Sequence, residues 1–134
     1  MRRWWLAVAV FWLAAGCGGV PPSFGGQTTF RQQAGHNTVW LTVRPWPARS
    51  LTTSTFEVRL TGPNRQAVRG AVVSLDLSMP AMEMGKTAPR MEPVGPGRWR
   101  GQGAFSMNGS WQVTVRVKEG SKTLDRARFL LDVQ

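Results

Sequence analysis

The chain has 134 residues, of which 17 are Lys or Arg and 7 are Asp or Glu, so its formal net charge is +10. It contains one cysteine and one histidine. A single cysteine forms neither an intrachain disulfide nor a set of thiolate metal ligands. With so few nucleophiles and bases, a catalytic triad has nothing to be built from, and we expect no enzyme activity.

Residues 1–16 have the pattern of a signal peptide. Two arginines precede an uncharged apolar run at 4–15, which is shorter than the roughly 20 apolar residues of a permanent transmembrane helix. Small residues then lead into Cys17, in a pattern that resembles a bacterial lipobox. We expect lipidation at Cys17 and export to the cell envelope, where the lipid anchors the protein to a membrane. The alternative is ordinary secretion, with Cys17 removed or left as an exposed thiol.

The charge of the exported chain requires its own explanation. Without Arg2 and Arg3 there are 15 basic residues against 7 acidic ones, a net charge of +8. An exported protein does not meet cytoplasmic nucleic acid, so we expect no nucleic-acid partner. Because the arginines often alternate with apolar residues, they predict the solvated outer face of a sheet, with attraction to anionic phospholipid headgroups as a secondary effect.

The segment 17–37 is expected to comprise the lipidated cysteine and a flexible tether. It is rich in Gly, Pro, Gln and Thr and poor in apolar residues, a composition that buries too little surface to order itself. The remaining residues, 38–134, have the length of one domain.

Apolar and polar residues alternate with period two through most of the domain, which predicts β-strands. The predicted strands cover 39–43, 56–60, 71–77, 99–105, 111–117 and 127–133. Gly, Pro and Asn clusters punctuate them as turns, at Gly62-Pro63-Asn64, Gly95-Pro96-Gly97, Asn108-Gly109 and Glu119-Gly120. We therefore predict an all-β fold, an immunoglobulin-like antiparallel β-sandwich of about seven strands.

Methionine is the residue type whose distribution points to a chemistry. Five of the six methionines lie between positions 79 and 107. Thioether sulfur is a soft ligand that suits Cu(I), and it tolerates oxidising compartments in which paired thiols would form a disulfide. On an extended segment the side chains of Met82 and Met84, two residues apart, point to the same face. A turn at Pro80 would bring Met79 toward them. The Asn108-Gly109 turn would place Met107 at the same end of the sandwich. The candidate Cu(I) ligands are Met79, Met82, Met84 and Met107.

Packing is the alternative explanation for these methionines, since Met is also a flexible filler of hydrophobic cores. Met79 falls on the same face of its strand as Leu75 and Leu77, so it can simply extend the buried face. Met91 is expected to have a packing role rather than to bind metal. Trp111 and Trp99 are candidates to support a bound cation through their indole faces, with core anchoring as the alternative role. His36 offers an imidazole for Cu(II), or is simply solvated.

The order of short motifs resembles a known family. Met79-Pro80-Ala81-Met82-Glu83-Met84 is followed by Glu92-Pro93, then Gly97-Arg98-Trp99, then Phe105-Ser106-Met107-Asn108-Gly109-Ser110-Trp111. This order is similar to the YtkA-like domain, which is related to the FixH group, and the likeness covers about 39–117. It implies an extracytoplasmic β-sandwich associated with copper handling and respiratory oxidase assembly.

The chain departs from that pattern in two ways. Many members of the family place a histidine beside the methionine cluster, where this chain has Lys86 and Thr87. FixH-type members also keep a transmembrane anchor, whereas a lipid is expected here.

Two hypotheses of function follow. The first is a lipid-anchored copper-binding β-sandwich that holds Cu(I) or passes it to a membrane partner, such as an oxidase or a metal-transport complex. The second is a metal-free interaction module, which would present its methionine-bearing end to a subunit of a membrane complex.

Overall fold

The structure is a computed structural model that describes residues 26–82 and 85–134. It contains eight β-strands: β1 (Gly26–Ala34), β2 (Asn37–Trp46), β3 (Thr53–Thr61), β4 (Val72–Ser78), β5 (Met91–Gly95), β6 (Arg98–Ala104), β7 (Gly109–Glu119) and β8 (Lys122–Val133). The described residues include no helix of the length and apolarity needed to span a membrane.

The strands form two sheets whose neighbouring strands are all antiparallel. One sheet has five strands in the order β1-β2-β3-β6-β5, and the other has three in the order β4-β7-β8. The predicted all-β sandwich is confirmed, with eight strands rather than about seven. The six strands predicted from alternation correspond to β2, β3, β4, β6, β7 and β8.

The strand β1 corrects the predicted tether. Gly26–Ala34 was assigned to a flexible segment, but it pairs with β2 along its whole length. Phe30 is its one large apolar residue, and its ring lies 5.6 Å from the Trp46 ring and 6.2 Å from the Phe129 ring. The packing of the Phe30 ring and the hydrogen bonds to β2 order this segment, although its composition predicted a flexible tether. The signal peptide and Cys17 lie outside the described residues.

The other strand missing from the prediction is β5, which pairs only with β6 at the edge of its sheet. It contains Pro93, which donates no backbone hydrogen bond and is therefore tolerated on an edge strand. Its register with β6 shifts between Pro93 and Gly95.

Inward-facing apolar residues of both sheets form one core. The strands β2 and β3 alternate a buried residue with a more exposed one, and β7 does so except at Thr114, which is also buried. Three aromatic rings pack edge to face in a row, with centroids 5.8 Å apart for Phe56 and Phe105 and 5.2 Å apart for Phe105 and Trp111. Because these rings come from β3, from the connection after β6 and from β7, they join the two sheets.

The strand directions define two ends of the sandwich. The start of β1, the end of β6 and the start of β7 lie at one end, since Gly26 pairs with Trp46 and Thr53 pairs with Ala104. The opposite end carries the turn from β1 to β2 and the segment after β3. The strand β7 has eleven residues, so the ends are roughly 35 Å apart.

Arginines cover the outer face of the five-stranded sheet, as predicted, and one carboxylate holds three of them. Glu57 accepts hydrogen bonds from Arg44 at 3.3 Å, from Arg100 at 3.1 Å and from Arg98, whose Nε lies 3.1 Å away. The Glu57 side chain is 12 % exposed. Hydrogen bonds from Arg98 and Arg100, opposed in part by burial, lower the pKa of Glu57 below its usual value of 4.5.

Replacing this carboxylate will lower stability in a pH-dependent manner. A carboxyl group whose pKa is lower in the folded state stabilises the fold above its unfolded pKa, and that contribution disappears as the pH falls through the folded pKa. We expect Glu57→Gln to reduce the free energy of unfolding by about 1–3 kcal/mol at neutral pH. The difference from the unsubstituted protein will shrink below about pH 4. Urea denaturation across this range measures both effects.

Glu92→Gln is the matched control for this substitution. Glu92 pairs with Arg90 at 3.6 Å, and both side chains are largely exposed, so its loss should change the free energy of unfolding by less than about 0.5 kcal/mol. If the two substitutions lower the free energy of unfolding equally, the contacts of Glu57 with three arginines do not contribute more stability than an exposed ion pair.

Candidate metal site at the methionine end

Met79 directly follows β4 and is 8 % exposed, as part of the core. Its terminal methyl group lies close to Gly109, the first residue of β7. A Cβ atom built on Gly109 would lie 2.8 Å from Cε of Met79, and Gly109 has a φ of +132°. The thioether of Met79 therefore reaches the start of β7 because position 109 carries no side chain.

Met107 lies on the other chain segment that reaches this end, in the connection between β6 and β7. Its side chain is half-buried and packs against the core. The indole nitrogen of Trp111 donates a hydrogen bond of 3.0 Å to the carbonyl oxygen of Met107, which fixes the backbone at this position. Met79 and Met107 thus belong to two different chain segments that meet near the start of β7. We name the end that carries Met79, Met82 and Met107 the methionine end.

The loop after β4 carries Met82. The backbone N–H of Met82 donates to the carbonyl oxygen of Met79 at 3.2 Å, and the chain then returns so that Thr87 exchanges two hydrogen bonds with Leu77. The Met82 side chain is 47 % exposed. The predicted ligand Met84 lies outside the described residues.

The two tryptophans occupy different parts of the sandwich. Trp111 is buried against Phe105 directly behind Met107, so it anchors the core and also supports the methionine end. Trp99 is the second residue of β6, roughly 17 Å along the strand from Ala104. It lines a groove with Met91. The structure does not bring Trp99 to the candidate site, which corrects the supporting role predicted for it.

Met91 packs against the core, as expected. It is therefore a methionine in a purely structural setting, against which the candidate ligands can be compared.

His36 follows the turn glycine Gly35 between β1 and β2, at the opposite end from the candidate methionines. Its side chain is exposed. A metal ion coordinated at the methionine end is out of reach of this imidazole, so the two candidate sites predicted from sequence are separate in space.

The chemistry available at the methionine end is that of soft, uncharged sulfur. Met79 and Met107 are held in place by packing, whereas Met82 is accessible from solvent. In the described ranges, no group of three or more His, Cys, Asp or Glu side chains is arranged to hold a metal ion. The donor set at this end fits Cu(I), a soft monovalent ion, better than Zn²⁺, which prefers thiolate, imidazole and carboxylate ligands.

The sequence did not indicate that Gly109 is part of the candidate site. The Asn108-Gly109 pair predicted a turn, but it did not predict that the Met79 side chain would pack against this glycine. Asn108 also accepts a hydrogen bond from the hydroxyl of Ser50. This contact ties the turn to the segment between β2 and β3.

Comparison with known proteins supports the resemblance seen in the sequence. The family model described as YtkA-like matches residues 31–116, which is more than half of the chain. No curated protein and no solved structure matched the chain.

Proposed function

The chain belongs to the YtkA-like family, and from this membership together with the placement of its methionines we propose that it is an exported copper-binding domain. In this proposal Cu(I) is a cargo held by thioethers at the methionine end. The observation that carries the proposal is that the methyl group of buried Met79 reaches Gly109, the residue two positions after Met107, so that two separate chain segments bring methionines to the same end of the sandwich.

Met79, which is buried, and Met107, which is half-buried, supply preorganised ligands. Core packing holds Met79, and the hydrogen bond from Trp111 positions the backbone of Met107. Ligands that are already in place lose little conformational freedom when the ion binds. Met82, which is exposed on the loop after β4, then adds a ligand from the solvent side, and Met84 is proposed as a fourth ligand.

The location of the site suits transfer at a membrane. The described chain enters the sandwich at Gly26, which lies at the methionine end. If Cys17 carries a lipid, eight residues separate it from Gly26, and these span at most about 30 Å. The methionine end is therefore the end whose distance from the bilayer is limited by the anchor. A membrane oxidase or a metal-transport complex is the class of partner that fits this arrangement.

A metal-free interaction module is the second candidate. Two observations favour it: Met79 is almost fully buried in the core, and Met82 is exposed at a surface loop. Exposed methionine is adaptable and is often used at protein-binding surfaces. In this case the methionine end would dock to a membrane-complex subunit without any ion.

Substitution of the candidate methionines by leucine, which removes the sulfur, distinguishes the copper-binding domain from the metal-free interaction module. Met79→Leu, Met82→Leu, Met84→Leu and Met107→Leu preserve apolarity and approximate volume, so each should change the free energy of unfolding by less than about 1.5 kcal/mol. For the variants at positions 79 and 107 we expect the Cu(I) affinity to fall about tenfold or more. Competition with a chromogenic Cu(I) chelator, on the full-length protein in detergent under reducing conditions, measures the affinity.

Met91→Leu is the matched control, because it makes the same chemical change at a packed position outside the methionine end. It should leave the Cu(I) affinity unchanged within about twofold. If all five variants bind Cu(I) as tightly as the unsubstituted protein, the methionines are not the ligands and the proposed site fails. If the unsubstituted protein binds no Cu(I), the copper-binding proposal fails and the interaction module is retained.

The pH dependence of binding provides an independent test. Thioethers do not titrate, so the Cu(I) affinity should vary by less than about threefold between about pH 5 and pH 7, whereas an imidazole ligand would be lost on protonation. His36→Gln should have no effect on it. A steep fall in affinity toward pH 5 that disappears in His36→Gln would assign the metal to His36 instead.

The proposed anchor is tested at its single attachment point. In bacteria grown with radiolabelled palmitate, the protein should incorporate label and remain with washed membranes, whereas Cys17→Ser should do neither. Ser110→Cys adds a thiol on the exposed surface of the domain and is the control when it is combined with Cys17→Ser. Labelling of Cys17→Ser at the original level would contradict lipidation at this cysteine.

A further inference from the structure

A cleft of about 590 Å³ lies on the outer face of the five-stranded sheet, at the end opposite the methionines. Its lining residues include three arginines, two threonines and one histidine: Arg31, Arg59, Arg65, Thr38, Thr61 and His36. Among the described residues, neither Asp nor Glu contributes to this lining. We name this feature the arginine cleft.

Two of the arginines are held by an indole. Trp40 in β2 pairs with Arg31 on one side and with Arg59 on the other. The Cζ atoms of both lie over its ring, at 5.1 Å and 4.8 Å from the centroid. The indole nitrogen of Trp40 donates to the hydroxyl of Thr61 at 3.4 Å. The guanidinium groups are therefore positioned by a cation–π contact, which leaves their N–H groups available to a ligand.

Carboxylates neutralise other arginines on this face. Glu57 pairs with Arg44, Arg98 and Arg100, and it lines a neighbouring depression rather than the arginine cleft. In the part of the chain that the structure describes, no ion pair involves Arg31, Arg59 or Arg65. Glu57 and Arg59 line the same neighbouring depression, but no carboxylate is paired directly with the arginines of the cleft among the described residues.

We propose that the arginine cleft binds a phosphate-class oxyanion. The planar fork of a guanidinium group matches two oxygens of a phosphate, and a doubly charged group with several terminal oxygens uses more than one such fork. The threonine hydroxyls supply additional donors, and the indole beneath supplies a flat surface. The volume falls within the range of about 300–1,000 Å³ that is usual for small-ligand sites, so it accommodates a phosphate together with the group that carries it.

The phosphate can belong to a free molecule or to a phospholipid headgroup, and the same three arginines would recognise either. Trp40 and Arg59 of the cleft lie six residues, or roughly 20 Å, along their strands from the methionine end. Binding of the oxyanion therefore involves none of the methionines, and the two sites can be filled at the same time. The inference does not depend on copper binding.

Nuclear magnetic resonance of the indole N–H groups tests this proposal directly. The full-length protein, labelled with ¹⁵N in detergent, is titrated with inorganic phosphate at constant ionic strength, and Trp40→Phe assigns the signal of Trp40. We expect a saturable shift of this signal. The double variant Arg31→Gln/Arg59→Gln should weaken binding about tenfold or more, while urea denaturation establishes that it is folded.

The double variant Arg49→Gln/Arg126→Gln is the matched control. It removes two positive charges at exposed positions that do not line the cleft, and it should change the affinity by less than about twofold. Equal losses in the two double variants would show attraction to net charge alone and would overturn the proposal.

Vesicles distinguish the two sources of phosphate. Retention on phosphatidylglycerol vesicles, but not on phosphatidylcholine vesicles, with competition by inorganic phosphate and loss in Arg31→Gln/Arg59→Gln, identifies a headgroup. Saturable binding of inorganic phosphate without this retention identifies a free oxyanion. If neither ligand shifts the Trp40 signal, or if an acidic peptide shifts it as strongly as phosphate does at equal charge, the cleft is not a phosphate site.

Discussion

The burial of one apolar face of each sheet against the other is the constraint on which the rest of this structure depends. Every second residue of β2, β3 and β7 is committed to the core, and this fixes which side chains face outward. The register then places Trp40 between Arg31 and Arg59 on the outside. A slip of one residue in β2 would turn Trp40 inward and expose its apolar neighbours, so the core determines the arginine cleft as well as the fold.

The same core sets the geometry of the methionine end. Phe105 and Trp111 pack against each other at the point where β6 gives way to β7, and the short connection between them carries Met107. Met79 continues the buried face of β4 into the same region. The close approach at Gly109 is possible because no side chain stands there. Met79 and Met107 therefore pack against the core and are also candidate metal ligands.

Period-two alternation was sufficient to predict six of the eight strands, because each of these strands buries one face. The two that it missed bury little. In β1, Phe30 is the only large apolar residue, and the strand exists because β2 offers it a full ladder of hydrogen bonds. In β5, Pro93 argued against a strand, and only the edge position makes it acceptable. Tertiary pairing, which local composition does not encode, decided both cases.

At the candidate site, the sequence indicated which residues could meet but not how each is held. The alternation of β4 correctly predicted that Met79 extends the buried face of this strand. The Asn108-Gly109 turn predicted that Met107 lies near the same end. The approach of Met79 to Gly109 depends on the relative position of β4 and β7, two strands separated by thirty residues. The separation of Trp99 and His36 from this end likewise follows from strand direction, which a linear motif does not contain.

The distance between the two ends resolves an apparent conflict between the charge of the protein and its proposed cargo. A chain with an excess of positive charge repels a monovalent cation at long range. Ions in solution, however, screen such interactions over about 8–10 Å at physiological ionic strength. The nearest arginines of the arginine cleft lie roughly 20 Å from the methionine end, which is about two screening lengths. Their charge therefore opposes the binding of Cu(I) there only weakly, since that binding depends on short-range coordination by neutral sulfur. The fold thus keeps the proposed Cu(I) site and the proposed oxyanion site apart, so that each can be filled without greatly weakening the other.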